Sequence, residues 1–276
     1  MVVFNKEEME LDLLLLAIYR LTGFDFRKYM RSSIMRRVQN RLSLEKLSSI
    51  TSLTEKIIHD ETFLLKVLSD FSINVTEMFR DPSFFKAFRE DVVPLLRDLP
   101  EIRVWHAGCS TGEEAYSMAI LLQEEGLGSR TKIYATDMNE NVIRKAEQGI
   151  IPLQKMQLYT KNYMSAGGKK SFSEYYKADS EGAYLNSSLK DNIIFAQHNL
   201  VTDGSFNEFH IIICRNVLIY FGLELQQQVF KLFNDSLSPG GFLGLGSKES
   251  IRIEDPVLFE NFNIQEKLFR KKSRNL

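Results

Sequence analysis

The chain has 276 residues, of which 44% are hydrophobic and 26% charged, and its formal net charge is −1. This is the composition of an ordinary folded protein, long enough for one large domain or one plus a small one, and the near-neutral balance excludes a polyanion-binding surface spread over the whole molecule. Two distant cysteines, Cys109 and Cys214, form no C-x-x-C, and four histidines (His59, His106, His198, His210) show no metal-ligand spacing, so reduced thiols and no metal are expected.

Lys6–Leu21 has the spacing of an amphipathic helix, with Leu11, Leu14, Leu15 and Ile18 on one face and Gly23 as its stop. Its apolar run, Leu11–Ile18, contains Asp12 and falls short of the roughly 18–20 residues that cross a bilayer. Glu7, Glu8 and Glu10 precede that run, unlike the basic start of a secretory leader. A cytoplasmic location without membrane insertion is expected. Between Phe26 and Leu44 stand six basic residues, Arg27, Lys28, Arg31, Arg36, Arg37 and Arg41, and no acid. A helix beginning after Ser32 or Ser33 puts Ile34, Met35, Val38 and Leu42 on one face and Arg36, Arg37, Asn40 and Arg41 largely on the other. Such a face docks an acidic helix or nucleic acid, or is simply solvated, the blander reading. No aromatic platform interleaves the arginines, which argues against single-stranded nucleic acid. Leu44–Phe71 is helical again in pattern. Residues 1–72 therefore read as a small all-helical domain, followed by a second domain over 73–276.

At Ser72–Pro82, Thr76 and Asp81 are candidate helix caps and Pro82 suits a first helical position. Phe84, Phe85, Phe88 and Val92 form the stripe of a helix ending near Pro94 or Leu96. The stretch Ile102–Tyr116, IRVWHAGCSTGEEAY, predicts a strand over Ile102–Ala107, a tight turn over Gly108–Gly112 and a helix opening at Glu113. It is neither G-x-G-x-x-G nor a P-loop. Two acids, Glu113 and Glu114, open the helix and would repel a phosphate. The turn thus suits a nucleoside cofactor that lacks phosphates and carries positive charge, as S-adenosylmethionine does. It is equally an acid-capped turn without a ligand.

A second strand runs Lys132–Thr136 and ends at Asp137, where an acid accepts from ribose hydroxyls or merely begins a turn. Asn139 is the expected cap of a helix over Glu140–Gln148. Ile150–Ser188 is irregular and reads as a small hairpin-bearing insertion, placed at about 153–190. Residues 192–198 read as a buried strand followed by Asn199 and Leu200, with Asn199 offering donor and acceptor to an adenine edge. Phe209–Cys214 is an apolar strand whose end carries Arg215, Asn216 and then Tyr220. A helix over Leu223–Leu237, a turn at Ser238–Gly241, a strand at Phe242–Leu245 and a final antiparallel strand within Asn263–Arg270 complete the pattern.

Several of these segments together resemble the CheR-type chemotaxis receptor methyltransferases: Asn74-x-Thr76-x-x-x-Arg80-Asp81, Trp105–Glu114 with its C-S-T-G-E-E, Ala135-Thr-Asp137, His198-Asn199-Leu200, Cys214-Arg-Asn-Val-Leu-Ile-Tyr220-Phe and Gly244–Glu249. The likeness runs from about residue 8 to 270. It implies an α/β fold: a Rossmann-like, mostly parallel seven-stranded methyltransferase sheet with an N-terminal all-helical domain and a small inserted β-subdomain. It implies S-adenosylmethionine as cofactor, with Asn74, Thr76, Arg80, Glu114, Asp137, Asn199, Leu200, Arg215 and Asn216 around it. Arg80 and Tyr220 would lie nearest the transferring methyl. The substrate would be glutamate side chains on acidic cytoplasmic helices of chemoreceptors, met by Arg36, Arg37 and Arg41, and the enzyme would act as a monomer. The alternatives are the same fold acting on another signalling protein, and a non-catalytic S-adenosylmethionine-binding regulator. Retention of Arg80 and Tyr220 argues against the latter. An NAD-dependent oxidoreductase is disfavoured because G-x-x-x-G is not G-x-G-x-x-G.

Overall fold

The computed structural model describes residues 5–71, 75–251 and 258–272. The chain divides into two compact units, Met1–Ile73 with Ile219–Val229, and Asn74–Leu218 with Phe230–Leu276. Among the described residues no helix is long and apolar enough to cross a membrane.

The first unit is built on four helices: α1 Lys6–Thr22, α2 Arg31–Glu45, α3 Ile50–His59 and α4 Glu61–Phe71. Asn5 caps α1 by accepting from the Glu7 N–H, and Gly23 closes it in the left-handed conformation with its N–H on Tyr19. Helix α2 begins before the two serines, because the Met30 carbonyl already accepts from the Ser33 and Ile34 amides and no side-chain cap is needed. The stretch Leu44–Phe71, expected as continuous helix, is broken twice. Lys46 ends α2 in the left-handed region, and Ser49 then caps α3 through Ser52. Asp60 turns extended after α3, and its carboxylate accepts from the Phe63 amide of α4. Both breaks are local side-chain caps competing with helix continuation. The 219–229 segment joins this unit through Met30 N–H on the Tyr220 carbonyl (2.8 Å) and Gly222 N–H on the Lys28 carbonyl (2.9 Å).

The second unit is organised by a seven-stranded sheet and a small three-stranded one. The strands of the large sheet are β1 Ile102–Ala107, β2 Thr131–Asp137, β6 Ile193–Gln197, β7 Phe209–Cys214, β8 Leu237–Leu245, β9 Phe259–Asn263 and β10 Leu268–Lys271. The small sheet contains β3 Ile150–Ile151, β4 Tyr176–Ala178 and β5 Ala183–Leu185. Helices α5 Pro82–Ala87, α6 Val93–Leu96, α7 Glu113–Glu124, α8 Glu140–Gln148, α9 Leu153–Ser165 and α10 Ser187–Lys190 belong to this unit, and α11 is Leu223–Ser236. The large sheet has the order β6-β2-β1-β7-β8-β10-β9. Pairs β1–β2, β2–β6, β1–β7 and β7–β8 are parallel, while β10 is antiparallel to both neighbours. The seven-stranded sheet is therefore mostly parallel, as expected.

Side-chain alternation on β1 builds both layers. Ile102 and Val104 join the cluster with Phe84, Phe88, Tyr116 and Ile120. Trp105 faces the other way, is fully buried edge-on to Phe233, and donates its indole N–H to Thr136 at 2.8 Å. Three expectations are corrected. Strand β6 is an edge strand with only Ile193 buried, because among the described residues no strand pairs with it beyond β2. Ser238–Gly241 lies within β8, where the register shifts opposite Phe209–Ile211 and absorbs a left-handed Gly240. The last strand is two, β9 and β10, turned by Lys267 in the left-handed region. The helix expected to end near Pro94 or Leu96 ends at Leu96. A π-helical turn, Phe88–Val92, precedes α6, and Pro94 sits in the first turn of α6, where a missing N–H costs little.

The insertion holds the expected β4–β5 hairpin and also the 13-residue helix α9, which its irregular sequence concealed. One buried carboxylate pins it. Glu124, at the end of α7 with its side chain 0% exposed, accepts from the Tyr163 and Tyr175 hydroxyls, the Lys169 amide and the Arg89 guanidinium. Burial pushes this carboxyl up, but the donors outweigh it and hold it below its ordinary value of 4.5. A carboxyl lowered on folding stabilises above its ordinary value, and the gain is lost as pH falls through the lower folded value. Glu124→Ala is expected to destabilise this unit by about 3 kcal/mol at pH 7. The deficit should shrink below about pH 4, which urea denaturation across pH would measure; a deficit constant with pH would refute the assignment.

Candidate active site

The carboxyl ends of β2, β1 and β7 lie side by side. The chain leaves β1 through Gly108, Ser110 and Gly112, all with positive φ (79°, 52° and 89°). A Cβ on Gly108 would stand 2.5 Å from the Val217 side chain, so both backbone angle and space demand glycine. The Gly108 and Cys109 amides both donate to the Thr136 carbonyl at 2.8 Å, tying the turn to β2.

Asp137 closes that tie. One carboxylate oxygen accepts from the Ser110 amide (2.9 Å) and the other from the Asn139 amide (3.0 Å). Burial raises its carboxyl above the ordinary value despite these bonds. The carboxylate keeps acceptor capacity beyond these backbone bonds, which suits a vicinal diol. Beside it the Ser110 hydroxyl is buried without a partner.

Glu113 and Glu114 differ in role. Glu113 is buried and raised by that burial, with Thr111 donating to it at 2.6 Å and the Lys155 ammonium 3.8 Å away. Glu114 is half-buried, and the Arg215 guanidinium at 2.7 Å and the His106 ring at 3.3 Å outweigh the desolvation and hold it below the ordinary value. Arg215, with its side chain 1% exposed, also donates to Asp81 (2.7 Å) and to the Arg80 carbonyl (3.1 Å). Arg80 is half-buried and donates to the Val75 carbonyl at 3.3 Å. The Thr76 carbonyl accepts from the Tyr159 hydroxyl of α9 at 3.4 Å. Asn74 lies outside the described residues.

After β6, Asn199 is buried and its amide oxygen accepts from the Val201 amide, while its own N–H donates to Asp203. Leu200 beside it is half-buried. After β7, Asn216 takes φ 62°. Glu249 holds this bend. Its carboxylate, 4% exposed as a residue, accepts from the amides of Gly246 (2.6 Å), Asn216 (2.9 Å), Val217 (2.8 Å) and Leu218 (2.7 Å). Sequence reasoning assigned Glu249 no role; its only signal was an acid three residues after Gly246. Tyr220 belongs to the first unit, where the Arg37 guanidinium lies 5.5 Å from its ring. There Arg37 donates to the Asp70 carbonyl (2.6 Å) and Arg41 grips the Asp70 carboxylate twice (2.6 and 2.7 Å), while Arg36 is exposed.

The donor set of the second unit fits S-adenosylmethionine. Glu113, Glu114 and Asp137 make the turn acidic, a poor seat for phosphate and a good one for a cation. Glu249→Gln leaves one acceptor oxygen for four amides, with two of them facing an NH2. It is expected to cost roughly 3 kcal/mol and to weaken S-adenosylhomocysteine binding in calorimetry. An unchanged stability and affinity would show that the 216–218 bend holds without it.

Two family models match the chain: the all-alpha domain of CheR methyltransferases over residues 9–72, and their SAM binding domain over residues 74–268. The protein named "Putative methyltransferase Cher3" of Pseudomonas putida is 48% identical over 97% of this chain and 98% of its own. A "Chemotaxis protein methyltransferase" of Listeria innocua is 33% identical over 83% of this chain and 85% of its own. "Chemotaxis protein methyltransferase 2" of Vibrio cholerae is 29% identical over 84% and 82%. S-adenosylmethionine is therefore the cofactor. With both models matched in order along nearly its whole length, the chain belongs to the CheR methyltransferase family.

Proposed function

We propose that the protein transfers a methyl group to glutamate side chains on the cytoplasmic helices of chemoreceptors, forming methyl esters. The observation that carries this reading is the pairing of an acid-lined cofactor turn with a half-buried cationic Arg80 in the same unit. The chemotaxis names of the relatives support it. When bound, S-adenosylmethionine supplies a methyl made electrophilic by its sulfonium. Asp137 holds the ribose hydroxyls. The acids at the start of α7 favour the cationic amino-acid tail, with Glu114 doing so from within its bond to Arg215. Thr76, Asn199, Leu200 and Asn216, together with Asn74, complete the cofactor's surroundings in this reading, and Arg215 borders them through its bond to Glu114.

A glutamate carboxylate has an ordinary pKa of about 4.3 and is already ionised at neutral pH. No general base is needed, and the task left to the protein is placement, worth up to roughly 7–11 kcal/mol. Arg80 orients the incoming carboxylate as a charge-assisted donor. Tyr220 is the second residue this reading assigns to methyl transfer, and within its own unit the Arg37 guanidinium lies 5.5 Å from its ring. On α2, Arg36 is the exposed cation that meets an acidic receptor helix. Arg37 and Arg41 add field from bonds they already make to Asp70.

Incubation with S-adenosylmethionine labelled in its methyl should put base-labile label on a receptor from the same cell. No label on any such receptor, with label on another protein, would move the assignment to a different acceptor. Arg80→Ala should lower kcat by about 100-fold. Separately, Asp137→Ala should raise the Kd for S-adenosylhomocysteine by about tenfold or more through loss of charge-assisted bonds; an unchanged Kd would remove Asp137 from the cofactor site.

A further inference from the structure

Arg80 sits in a backbone segment that does not hold itself. The residues on either side, Phe79 and Asp81, take φ of 50° and 53°, a region that non-glycine residues seldom occupy. Such conformations persist only where the surroundings over-determine them. Here they do. The Phe79 amide donates to the Ser117 hydroxyl of α7 at 2.9 Å, and the Phe79 ring packs against Phe85 and Tyr163. Asp81 stands at the cap position of α5, yet it makes no side-chain bond to the helix amides. Its carboxylate accepts from Arg215 instead.

Arg215 touches three points of this one segment. Its guanidinium donates to the Arg80 carbonyl and the Asp81 carboxylate, and lies 4.2 Å from the Phe84 ring centroid. Glu114 fixes it from the other side at 2.7 Å, and His106 in turn fixes Glu114. Both terminal nitrogens are thereby engaged, and only Nε is buried without a partner. We propose that Arg215 is a positioning residue: through Asp81 and the Arg80 carbonyl it holds the strained turn that presents the Arg80 side chain to the acceptor carboxylate. This rests on the reading of Arg80 as the residue that orients the acceptor. It gives Arg215 a role in placement, distinct from a direct grip on the cofactor.

The test is a double-mutant cycle on the full chain. Arg215→Lys keeps the charge but loses the planar fork that reaches several acceptors at once. Methyl transfer to receptor gives kcat and KM, and calorimetry with S-adenosylhomocysteine gives Kd. Arg215→Lys should lower kcat by about 100-fold and leave Kd within about threefold. Adding it to Arg80→Ala should lower kcat no further than about twofold, since coupled residues do not add. Losses that multiply, or a raised Kd with kcat kept, would overturn the proposal. Asp81→Gly guards against misfolding, because glycine suits the left-handed backbone while Arg215 loses its carboxylate partner. It should show the same kcat loss at unchanged Kd, and full kcat in that variant also overturns the proposal. Amide exchange separates this from a failure of the reading of Arg80. If Arg80→Ala keeps full kcat, Arg80 has no role in transfer. Faster exchange at the 79–81 amides in Arg215→Lys, with β1 and β7 unchanged, still reports whether Arg215 holds the turn, and unchanged exchange overturns that.

Discussion

The loops leaving β1, β2 and β7 strip backbone amides of their sheet partners, and buried charged side chains take the place of those partners. Asp137 accepts from two amides and Glu249 from four. Arg215 supplies the complementary case, donating to a carbonyl and two carboxylates. A buried polar backbone group without a partner is costly. These three side chains therefore decide whether the bends can exist where they do. Ser110 and Asn216, both left-handed without being glycine, sit directly on amides that Asp137 and Glu249 hold. Every feature of the site depends on these bends.

The same economy shapes the electrostatics. Glu113 and Glu114 after β1 and Asp137 at the end of β2 are three acids of the site, but they are not equivalent. Asp137 and Glu113 are pushed up by burial, whereas Glu114 is held down by Arg215 and His106. A cationic ligand gains from such a field, and a phosphate would not. The chemistry assigned here, placement of an ionised carboxylate beside an activated methyl, asks for oriented charge and no proton relay. A buried Arg215, with both terminal nitrogens engaged, behind a half-buried Arg80 is consistent with that demand.

The helical unit shows why a basic face read from spacing must be checked against partners. Arg36, Arg37 and Arg41 share a helix, but two of them are bonded to Asp70. Their charge remains while their donors are engaged, so they act on a partner through field more than through contact. Tyr220 is tied to the same unit by backbone bonds to the segment before α2 and by the Arg37 contact.

What the sequence determined on its own was local. The strand, turn and helix of Ile102–Tyr116, the strand Phe209–Cys214 and the Asn139-capped helix Glu140–Gln148 lie where period, glycine and cap chemistry put them, because those signals act within a few residues. The composite motif also carried the family and the cofactor. Tertiary structure alone decided who bonds to whom. Asp81 reads as a helix cap in sequence but binds Arg215, 134 residues away, because a buried guanidinium outcompetes exposed helix amides for a carboxylate. Glu114 reads as a ligand for a cationic tail but is shared with Arg215 and His106. Glu249 closes the Gly244–Glu249 segment of the motif, but that segment does not say what it bonds, and its four bonds exist only once β7 and β8 lie side by side. Periodicity says which face a residue takes. It cannot say what stands opposite, since that depends on chain segments brought together only by the fold.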